Sequence, residues 1–382
     1  MRPRNPAFAR LTAYPFVRLE EAKSRARARG IRIIDFGVGD PQEKTPALVR
    51  DALIRELPES AGYPPAVGVP DLRAAIADWV RWRYAVTVDP DRHVLPSNGS
   101  KEAIYLLHQA VIDPGADRRT VLIPEPAYPV YEVGTLFAGG IPRAIPLLEG
   151  SRFLPDLDAI APDIWRQTAL LWLNYPHNPT GVVAEIDLYK RALDLAREHS
   201  FWVASDEAYS ELWFDAPPPS ALQAGLDGLI VLNTLSKRSA MTGYRSGMIV
   251  GDPELIRNLA TVRPSQGIAT PLFIQAAAIA AWRDEAHVAH QRELYRAKRE
   301  ILMQVLRKKG LRIVGSSATF YLWIGVPEEE SSESFAMRLL EAGLVVTPGN
   351  YFGKHGEGYV RMALVPTCEL CREAAMILER TL

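Results

Sequence analysis

Between Asn233 and Gly247 the chain reads NTLSKRSAMTGYRSG, a combination of residue types that can hold a phosphate beside an amine. Thr234 and Ser236 offer hydroxyls, Lys237 follows at once, and Arg245 stands eight residues after the lysine. Hydroxyls and an always-charged guanidinium give directed donors to the oxygens of a phosphate dianion. A lysine held against apolar walls loses its proton well below its free value of about 10.4, and a neutral amine attacks an aldehyde. The ligand so implied is a phosphorylated aldehyde, covalently held at one end and anchored at the other. A solvated Lys-Arg pair on a surface loop would carry the same letters. The surrounding chain decides between the two.

Further positions could complete such a site. Asn98, Gly99, Ser100 and Lys101 fall where a helix is expected to begin, and its free N–H groups and positive dipole end suit an anion. Ordinary helix capping by Asn98 or Ser100 is the plainer use. Tyr128, in EPAYPVY, is placed to lie flat on an aromatic ring or to fill a core. Asn178, in HNPTG, either bends the chain or donates to a phenolate oxygen. Asp206 ends the apolar run FWVAS, where a buried carboxylate needs a cationic partner or its pKa rises. A protonated pyridine nitrogen would be such a partner and would keep its ring an electron sink; a helix cap is the alternative. Tyr209 could donate to the same phenolate as Asn178. Arg361, in GYVRMAL, stands among apolar residues, where a guanidinium fork suits an α-carboxylate or an internal acid. A lysine, a phosphate cup and an acid for a ring nitrogen together call for pyridoxal 5'-phosphate.

These residues need elements to carry them. Leu229 to Leu232, bounded by Gly228, predicts a buried parallel strand. The stretches VLPSNGSKEAIYLLHQAV, TVLIPEPAYPVYEVGTLFAGG, TALLWLNYPHNPTG and FWVASDEAYSELW likewise run from apolar to polar residues. Their alternation with helices predicts an α/β fold, a mainly parallel sheet covered by helices, with ligands beyond the carboxyl ends of the strands. Helices are expected over 14–30, 46–57, from about Asp71, over 184–199 and in the charged segment from about 285. Gly37 and Gly39 let the backbone approach a ligand, but their G-x-G does not extend to a dinucleotide fingerprint. Past Gly310 the short strands and helices suggest a smaller α+β domain, with the N-terminal helix packed on it. The expected division is 41–270 as the large domain, with 1–40 and 271–382 as the small one.

With 382 residues, 48% of them hydrophobic and 23% charged, the chain is long enough for two domains of ordinary globular composition. A formal net charge of -1 favours neither nucleic acid nor an anionic membrane. No apolar run nears the roughly 18 residues of a membrane span, and MRPRNPAFARL lacks the apolar stretch of a signal peptide. A cytoplasmic protein is expected. Cys368 and Cys371 form a C-x-x-C without a second pair to complete a zinc site, and they lie in a helix-like segment. Two reduced thiols and no metal are expected there.

Taken together, HNPTG, SDEAY and TLSKRSAMTGYRSG resemble the class I/II aminotransferases of pyridoxal-phosphate fold type I, in the family's order and over nearly the whole chain. The resemblance implies a mainly parallel seven-stranded-type sheet covered by helices beside a smaller α+β domain. It implies Lys237 as the Schiff-base lysine, Asp206 as partner of the pyridine nitrogen, Asn178 and Tyr209 beside the phenolate oxygen, and Tyr128 stacked on the ring. Ser100, Lys101, Thr234, Ser236 and Arg245 would form or border the phosphate cup. Gly39 and Arg361 would receive the substrate carboxylate. Tyr63, in AGYPPAVG, resembles the tyrosine that reaches the phosphate of a neighbouring subunit, so a homodimer is implied.

Some members hold a distal carboxylate with a second arginine; here the comparable region reads RPSQGIATP, with Gln266 and an Arg263 of unknown direction. Tyr14, Phe16 and Gln266 are the candidate distal walls. GYPPAVGVPDLR, VLPSNGSKEAI and PEPAYPVYEVG look closest to N-succinyldiaminopimelate aminotransferases, so glutamate and an N-succinylated amino-oxopimelate are the expected substrates. Alternatives are aminotransfer to LL-diaminopimelate, aspartate, alanine or aromatic partners, and a C–S β-lyase using the same lysine and aspartate. A non-catalytic regulator finds no appended DNA-binding segment to support it.

Overall fold

The computed structural model describes residues 5–10, 15–60 and 62–382. Its centre is a seven-stranded sheet in the order Val94–Ser97, Gly247–Gly251, Leu229–Thr234, Trp202–Asp206, Thr168–Asn174, Thr120–Glu125 and Ile141–Pro146. Every pairing is parallel except those of Gly247–Gly251, which runs antiparallel to both neighbours. The α/β class and the mainly parallel sheet expected from the alternation are therefore what forms.

The inner strands are covered on both faces, and side-chain alternation shows how. Leu171, Leu173, Leu229 and Val231 face one apolar core with Trp79, Val80, Leu193 and Ala278 from covering helices. Leu170, Trp172, Ile230 and Leu232 face the other, with Ile104, Leu107 and Leu259. A near-continuous apolar run is what two buried faces demand. The edge strand Ile141–Pro146 is largely exposed and carries two prolines and Arg143, which suit an edge.

A second body holds a four-stranded antiparallel sheet in the order Thr347–Pro348, Tyr359–Ala363, Tyr321–Gly325 and Ile313–Val314. The helix Ala286–Lys308 lies against it, burying Val288, Gln291, Tyr295, Lys298, Leu302 and Val305. Those positions recur every three or four residues, one face of a helix whose other face carries the charges. The N-terminal helix Pro15–Ala28 packs Leu19, Ala22 and Ala26 on Leu340 and Val345 of this body. Its following strand, Ile34–Asp35, pairs in parallel with Leu344–Val345. That pairing delivers Gly37 and Gly39 to the cleft between the two bodies. The last helix, Cys368–Thr381, is capped by Thr367; both cysteines are free thiols, and Cys371 is buried. Among the described residues no helix is long and apolar enough to cross a membrane, and no group of three or more His, Cys, Asp or Glu is placed to hold a metal.

Candidate active site

Five mutually parallel strands of the large sheet end at one edge, and residues at or a few positions past those ends line a common cavity of about 540 Å³. Its wall includes Gly39, Ser100, Lys101, Tyr128, Asn178, Asp206, Tyr209, Thr234, Ser236, Lys237, Arg245 and Arg361. Residues spread over more than three hundred positions thus meet because strand ends converge where connections diverge to opposite faces.

Lys237 sits on the four-residue helix Leu235–Arg238, whose N-cap Thr234 accepts from Ser236 N at 3.2 Å. Its Nζ donates to Gly39 O at 2.6 Å and stands 5.6 Å from the centre of the Phe320 ring. Burial lowers its pKa to about 8, opposed by the charge of Asp40 and reinforced by Arg361, Lys101 and Arg245. A solvated loop lysine has none of these neighbours.

At the floor, Asp206 is 4% exposed; its Oδ2 accepts from Tyr131 OH at 2.7 Å and its Oδ1 from Ala208 N at 3.2 Å. Burial raises its pKa to about 6, while the Tyr131 and Ala208 donors and the Lys237 charge pull the other way. No helix follows for it to cap. Tyr131 is held in turn by stacking on Trp172, with centroids 4.6 Å apart, and Trp172 Nε1 donates to His108 Nε2 at 3.1 Å.

The opposite end of the cavity has phosphate chemistry. Gly99, at φ +79°, is the N-cap of the helix Ser100–Val111 and makes no side-chain cap bond. Asn98 does not cap either: its Oδ1 accepts from Thr270 Oγ1 at 2.6 Å. The leading N–H groups of this helix therefore lack the capping side chain that the plainer reading supplied. Arg245 donates to Asn98 O at 3.1 Å and Thr242 O at 3.0 Å, and a Cβ at Gly99 would meet its guanidinium at 2.6 Å. Glycine is what lets the guanidinium and the helix start share one cradle.

Arg361 is 3% exposed and lies between the rings of Tyr321 and Phe352, with Cζ 4.3 and 4.6 Å from their centroids. It donates to Asn178 Oδ1 at 2.9 Å and to Gly37 O at 2.8 Å. Asn178 is itself fixed by Asn174, which accepts from Asn178 N at 3.0 Å and donates to Asp206 O at 2.8 Å.

Two sequence candidates, Tyr63 and Gln266, lie elsewhere. Tyr63 is fully exposed and outside the cavity wall of this chain. Gln266 is also exposed, donating to Gln109 Oε1 at 3.3 Å, and does not line the cavity. Tyr14 and the side chain of Phe16 lie outside the described residues. Arg263 turns inward, 1% exposed and 3.6 Å from Glu102 Oε2, and is not on the cavity wall either. Conversely, Asp40, Tyr131, Asn174, Tyr321 and Phe352 line the cavity without having been singled out. Tyr131 lies in EPAYPVY and Tyr321 in the apolar stretch FYLWIG, where an aromatic has the pattern of a core residue.

The chain matches the family model for aminotransferase class I and II over residues 31–378, and it belongs to that family. It is 42% identical over 372 residues to the LL-diaminopimelate aminotransferase of Aquifex aeolicus, covering 96% of this chain and 95% of the relative. Among solved structures, an aminotransferase from Neisseria meningitidis superposes with a TM-score of 0.90 at 36% identity, covering 98% of this chain and 99% of the other. A probable N-succinyldiaminopimelate aminotransferase from Thermus thermophilus gives a TM-score of 0.89 at 33% identity, covering 96% and 100%.

The cofactor of this family is pyridoxal phosphate, and the cavity fits it: an anion cradle at Gly99 and Arg245, a buried acid at the other end, and an amine of lowered pKa beside them. The rate of cofactor capture by the apo chain should follow the neutral fraction of Lys237. With its pKa brought down to about 8, that fraction is still small at pH 6 and grows as pH rises. Between pH 6 and 8 it increases about fiftyfold by simple titration. Stopped-flow absorption should show a comparable rise; a flat profile would contradict the lowered value.

Proposed function

We propose that the chain is a transaminase moving an amino group between glutamate and a 2-oxo acid, with LL-diaminopimelate as the amino acid at the other end of the exchange. The observation that carries the substrate is the 42% identity, over almost the full length of both chains, to a relative named for it. N-Succinylated amino-oxopimelate is the second reading, favoured by the Thermus thermophilus structure at 33% identity and by the local phrases quoted above.

When bound, pyridoxal phosphate supplies an aldehyde carbon that accepts an amino group and a ring that withdraws electrons from the adjoining carbon. The chain's own groups do the rest. The Gly99–Lys101 turn, Thr234, Ser236 and Arg245 bind the phosphate. Asp206, ionised, favours a cation at the floor of the cavity, and Tyr131 holds its carboxylate in place. Lys237, at about 8, can both take up and give back a proton at Nζ near neutral pH, as a general base and acid must. Arg361 offers a rigid fork to the α-carboxylate that both amino acids share. Tyr128 closes one side and keeps water off.

A homodimer completes this proposal. Ile54, Leu57, Tyr63 and Val67 are large apolar side chains exposed along one stretch of the chain. A second copy docked there would cover these side chains and bring its Tyr63 to the phosphate end.

The test is a half-reaction screen. The purified holoenzyme is mixed separately with LL-diaminopimelate, its N-succinylated form, glutamate, aspartate, alanine and aromatic amino acids, and the cofactor spectrum is followed. LL-Diaminopimelate and glutamate should lead the others by tenfold or more in kcat/KM, about 1.4 kcal/mol of discrimination. A tenfold lead for the succinylated compound transfers the assignment to the second reading. A lead for aspartate or an aromatic amino acid defeats both substrates and leaves the aminotransferase standing. With a cysteine S-conjugate added to the panel, release of its thiol together with pyruvate and ammonia, without an oxo acceptor, would indicate the lyase.

A further inference from the structure

Tyr321 belongs to the small sheet, yet its side chain reaches the cavity floor between three functional groups. It is 2% exposed, and it is placed by its strand, Tyr321–Gly325, which pairs with the strand that carries Arg361. The ring lies under the Arg361 guanidinium, 4.3 Å from Cζ. The hydroxyl is 2.9 Å from that of Tyr209. It also lies hard against Gly39: a Cβ there would fall 2.1 Å from the Tyr321 oxygen. Gly39 O is in turn the acceptor for Lys237 Nζ at 2.6 Å.

We propose that Tyr321 is a positioning residue that ties the carboxylate fork of Arg361 to the hydroxyl of Tyr209. This rests on the placing of Tyr209 beside the bound cofactor. A phenylalanine would pack equally well in this wall, and a buried hydroxyl is costly unless partnered. Its partner is the Tyr209 hydroxyl. One proton of the pair lies between the two oxygens, and the other is left to point away. Once Tyr209 turns its own proton to a ligand in the cavity, the bond between them must be donated by Tyr321. The cation over the Tyr321 ring strengthens that donor, because positive charge favours loss of phenolic proton density. Arg361, Tyr321 and Tyr209 then act in series, with the donors aligned toward the ligand. Tyr209 acquires a fixed direction that its own T-shaped contacts with Phe320 and Tyr321 do not impose on its hydroxyl hydrogen.

The experiment uses reconstituted holoenzyme in four forms: wild type, Tyr321→Phe, Tyr209→Phe and the double variant. The pH midpoint of the bound cofactor's visible absorption is read together with kcat and KM. Tyr321→Phe keeps the ring under Arg361 and removes only the oxygen. It should move the midpoint and lower kcat about threefold to tenfold, the range for one neutral hydrogen bond, with KM for both substrates within about twofold on the same scale. In the Tyr209→Phe background the same change should add nothing to the midpoint or to kcat. A Tyr321→Leu variant, which also removes the ring, should raise KM for both substrates. Equal effects of Tyr321→Phe in the two backgrounds would overturn the proposal, as would an unmoved midpoint and kcat. A wild-type chain that gains no visible absorption would instead overturn the cofactor assignment on which it stands.

Discussion

Replacing Lys237 by alanine is expected to abolish turnover, a loss of about 10⁴-fold or more when the general acid–base share alone spans 10² to 10⁴. Lys237 is the amine whose nitrogen faces the cavity with its pKa pulled down to about 8, chiefly by burial. Lys101 also lines the cavity, but it stands at the start of the helix Ser100–Val111, 5.7 Å from the centre of the Tyr128 ring. Its position suits the phosphate end. The variant should still bind cofactor through the Gly99 and Arg245 cradle, without the pH-sensitive visible band of the wild type. Borohydride reduction of the wild type followed by peptide mapping gives the direct check. Label on Lys101 or any lysine other than 237 would refute the assignment.

Removing the charge of Asp206 should produce the next largest loss. Asp206→Ala takes away a buried anion that would face a cation, and breaking such a pair costs about 3 to 5 kcal/mol, or roughly two to three and a half decades in kcat. Asp206→Asn should be nearly as poor, since it keeps the shape without the charge. The two losses are separable from misfolding by stability measurements on the apo chain. Burial holds the folded carboxyl at about 6, above its ordinary range. The folded state therefore binds more protons than the unfolded one between about pH 4 and 6, and stability falls as pH rises through that window. Asn carries no such term. Apo Asp206→Asn should gain on apo wild type by up to about 3 kcal/mol from pH 4 to pH 7, read as a relative rise in Tm. A variant that is no more stable at pH 7 yet turns over at the wild-type rate would sink the role. A carboxylate kept at its own cost to stability is what a functional group looks like in an apolar floor.

The family and the cofactor were legible in one sequence, and the cavity collects several residues that stand in one local pattern there. Where such a residue ends an apolar run, the strand that buries the run also fixes where the next polar residue goes. Asp206 after FWVAS and the TLSK turn after LIVLN are of this kind. Trp172 and Leu171 alternate between two cores, so the run TALLWLN had to be an inner strand with both faces covered.

Tertiary structure alone decided what crosses between distant segments. The Tyr131 hydroxyl meets Asp206 across 75 positions and Tyr321 meets Tyr209 across 112. No local period encodes a contact of that range, so the sequence singles out neither Tyr131 nor Tyr321. Asn98 could have capped its helix; instead its side chain accepts from Thr270, which leaves the helix start to an anion. Arg263 could have faced the cleft; instead it is buried, donating to Pro96 O and standing 3.6 Å from Glu102 Oε2. The direction of a long side chain depends on which opposite charge the fold brings within reach, and a single sequence specifies that charge only through the folded chain.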